Sequence, residues 1–261
     1  MKKDKWFDVA YSFKEGFARV KLDGNGYSYI NQRGELIGDG NLWFDSACDF
    51  SEGFACAYVK WKGWTYINQK GELIGNGNLW FYYARVFSGG FGRVYVSGKG
   101  YSYISQKGEL IGNGNLWFDE AYDLSGGFAR VLVDGKGYSY INQKGELIGN
   151  GNLWFDDAFD FSGGFACARV IGKGYSFINQ RGELIGNGNL WFDDAFDFSE
   201  GFANVYVNGK GYSYINQEGA LIGNGDLWFD DAFDFSGGFA VVNIRDKRYR
   251  LDKEGNLHEY R

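Results

Sequence analysis

The sequence predicts an all-β repeat protein, and three observations lead to this prediction. Tryptophan recurs at a constant interval of 37 residues, and a fixed period of this length is typical of repeat architectures. The seven positions are Trp6, Trp43, Trp80, Trp117, Trp154, Trp191 and Trp228. Turn-forming clusters of Gly and Asn arrive about every 8 to 12 residues, while Pro is absent. Between these clusters, side chains alternate as they do along β-strands.

The sixth unit shows the elements in order: LWFDDAFDF, FANVYV and YSYINQ are predicted strands, and LIGNG closes the unit. Small residues such as Ala203 and Val205 share one face of FANVYV. The segment Asn208-Gly209-Lys210-Gly211 tolerates the positive φ that a tight hairpin requires. Ser199-Glu200-Gly201 and Gln217-Glu218-Gly219 are typical of longer hairpin loops. We therefore predict a four-stranded antiparallel meander in each unit.

The whole chain, residues 1–261, is predicted to be a single array without a further domain. Its units are residues 1–41, 42–78, 79–115, 116–152, 153–189, 190–226 and 227–261. Seven four-stranded units favour a seven-bladed β-propeller. An open β-solenoid or superhelical stack is the alternative. Charged chain ends, which include Lys2, Lys3, Asp4 and Lys5, are the feature that an open array requires for solubility.

Two recurrent segments resemble the bacterial WG or KWG repeat. They are FSEGFA, at Phe50 to Ala55 and Phe198 to Ala203, and GYSYINQKGELI, at Gly137 to Ile148. The resemblance extends over essentially the whole chain, but the Trp-Gly pair of the family is replaced, for example by Tyr27-Ser28 or Trp64-Thr65. The resemblance implies β-structured repeats without a general enzymatic activity.

Charge and composition limit the partners. The net charge is −6, with +2 in residues 1–97 and −8 in residues 98–261. An acidic surface repels phosphate, so we expect no nucleic-acid partner. No apolar run approaches the length that spans a bilayer, and no apolar stretch typical of a signal peptide follows the first residues. We expect a cytoplasmic monomer that binds no membrane.

The three cysteines are an odd number without metal-ligand spacing. Cys48, Cys56 and Cys167 show no CxxC pair and no neighbouring His. We interpret them as small buried residues in a reducing compartment, and predict neither a disulfide nor a zinc site.

Acidic residues follow most of the tryptophans. The sets are Asp119, Glu120 and Asp123; Asp156, Asp157 and Asp160; Asp193, Asp194 and Asp197; Asp230, Asp231 and Asp234. Calcium prefers six to eight oxygens, but neighbouring strand residues point to opposite faces. We therefore expect these carboxylates to accept hydrogen bonds from turn amides, with calcium-supported repeats as an alternative. We predict no metal site and no cofactor.

Enzymatic chemistry is poorly represented. The single His is His258, and no nucleophile motif or phosphate-binding loop occurs. Acids that repeat in nearly identical settings do not form one differentiated acid and base pair. We predict that the protein is not an enzyme.

A binding module is the favoured function, and its site is expected where the repeat breaks. In the third unit Tyr82, Tyr83 and Arg85 replace residues of the acidic set, and the preceding unit carries Trp61 and Trp64 in the segment Trp-Lys-Gly-Trp. Aromatic residues and Arg are enriched in binding hot spots. These five residues are the predicted site for a protein or peptide partner.

A glycan-binding array is the alternative binding function. It uses the residues that the units share, such as Tyr138, Asn142, Asn150 and Asn152. Many weak, equal sites would gain affinity through multivalency.

Overall fold

The computed structural model describes residues 7–260 of the chain. The predicted period therefore starts at Trp43 in the structure, since Trp6 and the charged residues 2–5 lie outside the described range. Residues 7–260 contain β-strands and short 3-10 turns but no α-helix, as the all-β prediction requires. Accordingly, no helix with the length and apolarity of a membrane span occurs in this range.

Twenty-two strands follow one another in chain order. They are β1 (Val9–Lys14), β2 (Phe17–Leu22), β3 (Gly26–Asn31), β4 (Ser46–Ala47), β5 (Phe54–Val59), β6 (Gly63–Asn68), β7 (Tyr83–Ser88), β8 (Phe91–Val96), β9 (Gly100–Ser105), β10 (Glu120–Ala121), β11 (Phe128–Val133), β12 (Gly137–Asn142), β13 (Asp157–Ala158), β14 (Phe165–Val170), β15 (Gly174–Asn179), β16 (Asp194–Ser199), β17 (Phe202–Val207), β18 (Gly211–Asn216), β19 (Asp231–Ala232), β20 (Phe239–Ile244), β21 (Lys247–Asp252) and β22 (Leu257–Glu259). Six 3-10 turns lie at Gly38–Gly40, Ile74–Gly77, Ile111–Gly114, Ile148–Gly151, Ile185–Gly188 and Ile222–Gly225.

The strands belong to two compact units. The first ends at Asp123 and also includes residues 143–145; the second comprises residues 124–142 and continues from residue 146. In the first unit, β1 to β9 form three antiparallel sheets of three strands each. In the second unit, β11 pairs with β12, β13 to β15 and β16 to β18 form three-stranded sheets, and β19 to β22 form a four-stranded sheet.

The prediction of four regular strands in each repeat is not confirmed. In the first six repeats, the place of the fourth strand is taken by two isolated bridges, such as Ile67↔Leu73 and Trp64↔Phe81, on either side of a 3-10 turn. The last repeat alone among residues 7–260 has a fourth strand, β22. Gly75 and Asn76 in that turn have φ of 58° and 54°. This left-handed conformation is incompatible with an extended strand, so the LIGNG segment interrupts the edge of the sheet.

Successive repeats are joined by a chain segment that contacts two sheets. The amide of Phe81 donates to Trp64 O of the preceding sheet at 2.8 Å, and the amide of Tyr82 donates to Tyr95 O of its own sheet at 2.9 Å. The same pattern recurs at Phe44 and Asp45. Each repeat therefore begins on the edge of the sheet before it.

Apolar side chains from adjacent repeats form the core between neighbouring sheets. Tyr66 meets Phe87 of the next repeat edge-on at 4.9 Å, and its buried hydroxyl donates to Arg85 O at 2.6 Å. Tyr214 and Phe235 repeat the ring contact at 5.0 Å in the second unit. Burial of such rings provides the main stabilisation, because the sheets are too small to bury an apolar face alone.

The tryptophans that define the period have a structural role. The indole N–H of Trp80 donates to Gly77 O at 2.9 Å, which closes the 3-10 turn. The ammonium of Lys62, from the hairpin of the preceding repeat, lies 5.3 Å from the ring centre of Trp80. Equivalent pairs recur at Lys173 over Trp191 and at Lys210 over Trp228.

The prediction that no cysteine forms a disulfide is wrong. Cys48 and Cys56 are bonded, with their Cα atoms 5.3 Å apart. The amide of Cys48 donates to Cys56 O, so the two residues face each other across adjacent antiparallel segments. Cys167, which stands at the repeat position of Cys56, is free and buried, as predicted. Phe159 is its cross-strand neighbour, so no second thiol is available there.

Candidate functional site

The first acid of the repeated set caps a hairpin turn. Asp45 accepts a hydrogen bond from the amide of Lys60 at 2.7 Å, Asp156 from Ile171 at 2.6 Å, and Asp193 from Asn208 at 2.7 Å. The predicted contact with turn amides is thus confirmed for the first acid of the set, as at Asp156 and Asp193. Within residues 7–260, no group of three or more His, Cys, Asp or Glu side chains is arranged to hold a metal ion.

The third acid of the set pairs with an arginine of the preceding repeat. Arg93 Nη2 lies 3.3 Å from Asp123 Oδ1, and Arg130 Nε lies 3.7 Å from Asp160 Oδ1. The Arg93 guanidinium also donates to Ala121 O. These contacts use the acidic set to join repeats, which accounts for its recurrence without a ligand.

The third repeat departs from this scheme. Tyr82 occupies the position of the capping Asp, and Tyr83 and Arg85 follow on β7. The Tyr82 side chain is 73% exposed and Tyr83 is 37% exposed. Val86 stands where Asp123 and Asp160 stand in later repeats, and it is also exposed. In the third repeat, an exposed aromatic surface therefore replaces the set of carboxylates.

These residues line a groove of about 700 Å³ within the first compact unit. Its walls are the sheet of β7 to β9 and the segment that begins the next repeat. The lining residues are Tyr82, Tyr83, Arg85, Arg93, Tyr95, Tyr101, Asp119, Glu120, Ala121 and Tyr122. Tyrosines thus supply half of the lining residues, and charged side chains supply most of the remainder.

Ring contacts fix the floor of the groove. Tyr95 on β8 lies opposite Tyr83 on β7 and Tyr101 on β9. The rings of Tyr95 and Tyr101 are 4.8 Å apart, and Tyr82 meets Tyr95 edge-on at 5.9 Å. Aromatic side chains in such contacts lose little conformational entropy on binding, since their rotamers are already restricted.

Polar groups lie at the sides of the groove. The Tyr122 hydroxyl donates to Glu120 Oε2 at 2.7 Å, which orients that carboxylate. Arg93 is neutralised by Asp123, while Arg85 extends from β7 along the lining. The buried Tyr66 hydroxyl holds the backbone of Arg85, and burial raises the pKa of Tyr66, so this hydroxyl stays neutral. The groove thus offers both a cation and a carboxylate next to stacked rings.

The structure brings together three of the five predicted site residues. Tyr82, Tyr83 and Arg85 line the groove, whereas Trp61 and Trp64 do not. Trp61 is 91% exposed at the tip of the β5–β6 hairpin, with Lys60 Nζ 5.3 Å from its ring centre. Trp64 is half-buried, packs against Tyr58 at 5.4 Å and bridges Phe81.

Sequence reasoning missed Tyr95, Tyr101 and Tyr122. Tyr95 and Tyr101 do not deviate from the repeat, since Tyr206 and Tyr212 form the same cross-strand pair at 4.8 Å. These two residues could have been found from the strand register of the third repeat, which places Tyr95 opposite Tyr83 and Tyr101 opposite Tyr95.

Part of the sequence is similar to a known family of repeats. The WG containing repeat matches residues 7–25, 118–136, 192–210 and 229–247, together less than a third of the chain. Four segments of this chain are similar to WG repeats. The predicted resemblance is confirmed at these positions, each of which contains the segment after the tryptophan, the following loop and a long strand. The GYSYINQ strands lie outside the WG matches. No curated protein matches the sequence.

Three solved structures illustrate the structural comparison. The computationally designed Ika8 protein has 9% identity and a TM-score of 0.33, covering 94% of this chain and 84% of its own. BamB from Moraxella catarrhalis has 7% identity and a TM-score of 0.34, covering 94% and 80%. The WD40 beta propeller domain of Doa1 has 12% identity and a TM-score of 0.29, covering 93% and 87%. All three TM-scores lie below 0.5.

Proposed function

We propose that this repeat protein is a non-enzymatic binding scaffold whose groove at Tyr82, Tyr83 and Arg85 holds a peptide segment of a protein partner. The observation that carries the proposal is that the groove coincides with the break in the repeat. Tyr82 is exposed at the position where other repeats have an Asp that caps the hairpin, and a tyrosine side chain cannot serve that structural role. Binding is the function that such an exposed aromatic surface supports.

The chemistry of the groove suits a peptide. Its volume of about 700 Å³ falls in the range that is typical of ligand-binding pockets. Stacked tyrosines provide apolar contact area, and Arg85 and Glu120 offer charge-assisted hydrogen bonds to carbonyl, amide or charged groups. Both kinds of contact are needed for affinity and orientation.

A glycan could also stack on these tyrosines, and a glycan ligand is the second candidate. The multivalent form of this hypothesis has weaker support, because the shared asparagines have structural roles. Asn150 has φ of 55° inside a 3-10 turn, and Asn152 donates its amide to Gly149 O. For calcium-supported repeats, the support is weaker for the same reason: the first acids of the sets bind turn amides.

Several features of the proposal stay predictions. They are the absence of catalysis and of a cofactor, the monomeric state, the absence of nucleic-acid and membrane partners, and a cytoplasmic location. The Cys48–Cys56 disulfide counts against the last of these, since oxidising compartments favour such bonds. We further propose that the seven repeats close into a seven-bladed ring. Small-angle scattering distinguishes this ring from an open stack, which has a larger radius of gyration.

Selection from a random peptide library tests the binding function. The protein is immobilised, and peptides are counter-selected against the triple variant Tyr82→Asp, Tyr83→Asp, Arg85→Phe. This variant carries the residues found at Asp156, Asp157 and Phe159, so it restores the repeat pattern and should fold. We expect enriched peptides to bind the triple variant at least about 30-fold more weakly, or about 2 kcal/mol.

The matched control is Trp61→Ala, which removes an exposed aromatic side chain outside the groove. Its affinity for the same peptides should equal that of the unchanged protein. The proposal fails if no peptide distinguishes the unchanged protein from the triple variant, or if Trp61→Ala is the variant that loses binding.

A further inference from the structure

The loop between the first two strands of each repeat presents two successive backbone amides, which we call the loop amide pair. In three repeats, a Glu from the preceding repeat binds this pair with both carboxylate oxygens. Glu15 accepts from Glu52 and Gly53 at 2.7 and 2.8 Å, Glu52 accepts from Gly89 and Gly90 at 2.8 and 2.7 Å, and Glu200 accepts from Gly237 and Gly238 at 2.7 and 2.9 Å. The repeat itself thus shows which ligand the loop amide pair binds.

Three loop amide pairs of the second compact unit follow a Gly instead of this Glu: Gly126–Gly127, Gly163–Gly164 and Glu200–Gly201. For the last two pairs, that Gly is Gly126 and Gly163, which belong to the same compact unit. Within residues 7–260, no side chain accepts a hydrogen bond from the amides of Gly163, Gly164, Glu200 and Gly201, and these residues are exposed or half-buried.

The unfilled pairs have the conformation of the filled ones. Gly163 and Gly164 have φ of 58° and 88°, against 62° and 88° at the filled pair Gly89–Gly90. Glu200 and Gly201 have φ of 49° and 93°. The similar φ values indicate that the unfilled pairs present their two N–H groups as the filled pairs do, in the manner of backbone nests that bind anions.

The first unfilled pair lies at the surface, since Gly163 is exposed and Gly164 is half-buried. Gly126, at the Glu position, has no side chain to cover their amides. Gln180 Nε2 donates to Gly126 O at 3.0 Å and fixes that loop. Arg181, the next residue, adds positive charge to the same turn. A carboxylate from another molecule can therefore occupy the place that Glu15 and Glu52 occupy in their repeats.

We propose that the loop amide pairs Gly163–Gly164 and Glu200–Gly201 bind carboxylates of an acidic peptide segment in a partner protein. Each carboxylate accepts two charge-assisted hydrogen bonds, as the internal Glu side chains do. Because the two pairs lie in successive repeats, one acidic segment engages both and gains affinity through the second site. This site is separate from the tyrosine groove and does not depend on it.

A titration of the ¹⁵N-labelled full chain with hexaglutamate tests the proposal. At about 0.15 M salt, which limits repulsion from the acidic surface, we expect the amide resonances of Gly163, Gly164, Glu200 and Gly201 to shift. The filled pair Gly237–Gly238 should not respond. Hexaglutamine and inorganic phosphate serve as comparison probes, and both should shift these resonances far less.

A designed variant fills the first site. In Gly126→Glu, the new side chain stands at the repeat position of Glu52, with its Cβ 3.0 Å from the Cβ of Phe161, and should weaken the response of Gly163 and Gly164 to hexaglutamate at least about tenfold. The matched control is Gly126→Ala, which imposes the same backbone strain and the same contact with Phe161 but supplies no carboxylate; in it these two amides should respond as in the unchanged chain. Well-dispersed amide spectra verify that both variants fold.

Three results overturn the proposal. The first is an absence of shifts at the four amides at millimolar hexaglutamate in the unchanged chain. The second is a response to phosphate as strong as that to hexaglutamate, which would indicate a general anion site. The third is equal binding by the Glu and Ala variants.

Discussion

Arginine and aspartate pairs determine the charge balance between repeats. Arg130 reaches Asp160 of the next repeat, but the equivalent positions of the following repeats hold Cys167 and Asn204. Asp197 therefore lacks a guanidinium. Burial, and then the negative charges of Asp234 and Asp160, raise the pKa of Asp197. In the second repeat both partners change together, since Cys56 replaces the Arg and Val86 replaces the Asp.

Asp197→Asn should therefore stabilise the protein at pH 7. A raised pKa means that the folded state disfavours the ionised side chain, so stability falls as pH rises from the ordinary Asp value of about 3.9 through the raised one. With Asp197 partly exposed, we expect a gain below about 1 kcal/mol in the free energy of unfolding, and the gain should vanish below about pH 4. Urea denaturation across this pH range measures it.

The control for this prediction is Asp160→Asn, which removes the partner of Arg130 and should lower stability at pH 7. An Asp197→Asn variant that is no more stable than the unchanged chain at pH 7 would show that the missing guanidinium has no energetic consequence.

Hairpin capping acts at the scale of the element. In the fifth repeat, Asp156 accepts the amide of Ile171 and closes the hairpin between β14 and β15. In the third repeat, Tyr82 stands at this position, opposite the turn that contains Ser97. The hairpin of β8 and β9 therefore lacks a carboxylate that the fold uses elsewhere. The proposed binding surface therefore takes the place of a hydrogen bond between an Asp and a turn amide that stabilises other repeats.

Restoring the carboxylate should stabilise the third repeat. Tyr82→Asp supplies an acceptor for the Ser97 amide, and we expect the free energy of unfolding to rise by about 1 kcal/mol. The reverse change, Asp156→Tyr, should lower it by a similar amount. Denaturant titration of both variants measures the effect. If Tyr82→Asp is neutral while Asp156→Tyr destabilises, the two hairpins are not equivalent and this interpretation is wrong.

The strands were predicted correctly from the sequence where the alternation of side chains and the residues of the flanking turns indicate the same element. The long strands, such as Phe202–Val207, follow the alternation of Ala203 and Val205, both fully buried. The interrupted sheet edge was not predicted, because LIGNG combines an apolar strand start with residues that adopt positive φ. The Cys48–Cys56 bond was missed because an eight-residue separation reveals a cross-strand pair only when the register is known.

The candidate site was predictable in part for a similar reason. Tyr82, Tyr83 and Arg85 differ from their counterparts in other repeats, so the sequence reveals them. Tyr95 and Tyr101 are ordinary residues of the repeat, and only the sheet register brings them into the groove. The tryptophans of the second repeat deviate from the pattern but do not enter the groove, so deviation alone did not identify the site.

At the scale of the whole molecule, uniformity limits where a function can reside. The tryptophan turns, ring contacts and capped hairpins recur from repeat to repeat and explain most of the sequence as structure. The positions that they leave unexplained lie where the period breaks, and they include the tyrosine groove of the third repeat and the unfilled loop amide pairs at Gly163 and Glu200. Our account assigns binding to these breaks and structural stability to the shared residues.

The most direct test of this account maps a selected peptide onto the ¹⁵N-labelled protein by amide chemical shifts. The account predicts that the largest changes fall on residues 82–85, Tyr95, Tyr101 and residues 119–122. The corresponding residues of the sixth repeat, Tyr206 and Tyr212, should change little. A footprint spread equally over all repeats, or centred on residues that every repeat shares, would contradict the claim that function resides where the repetition breaks.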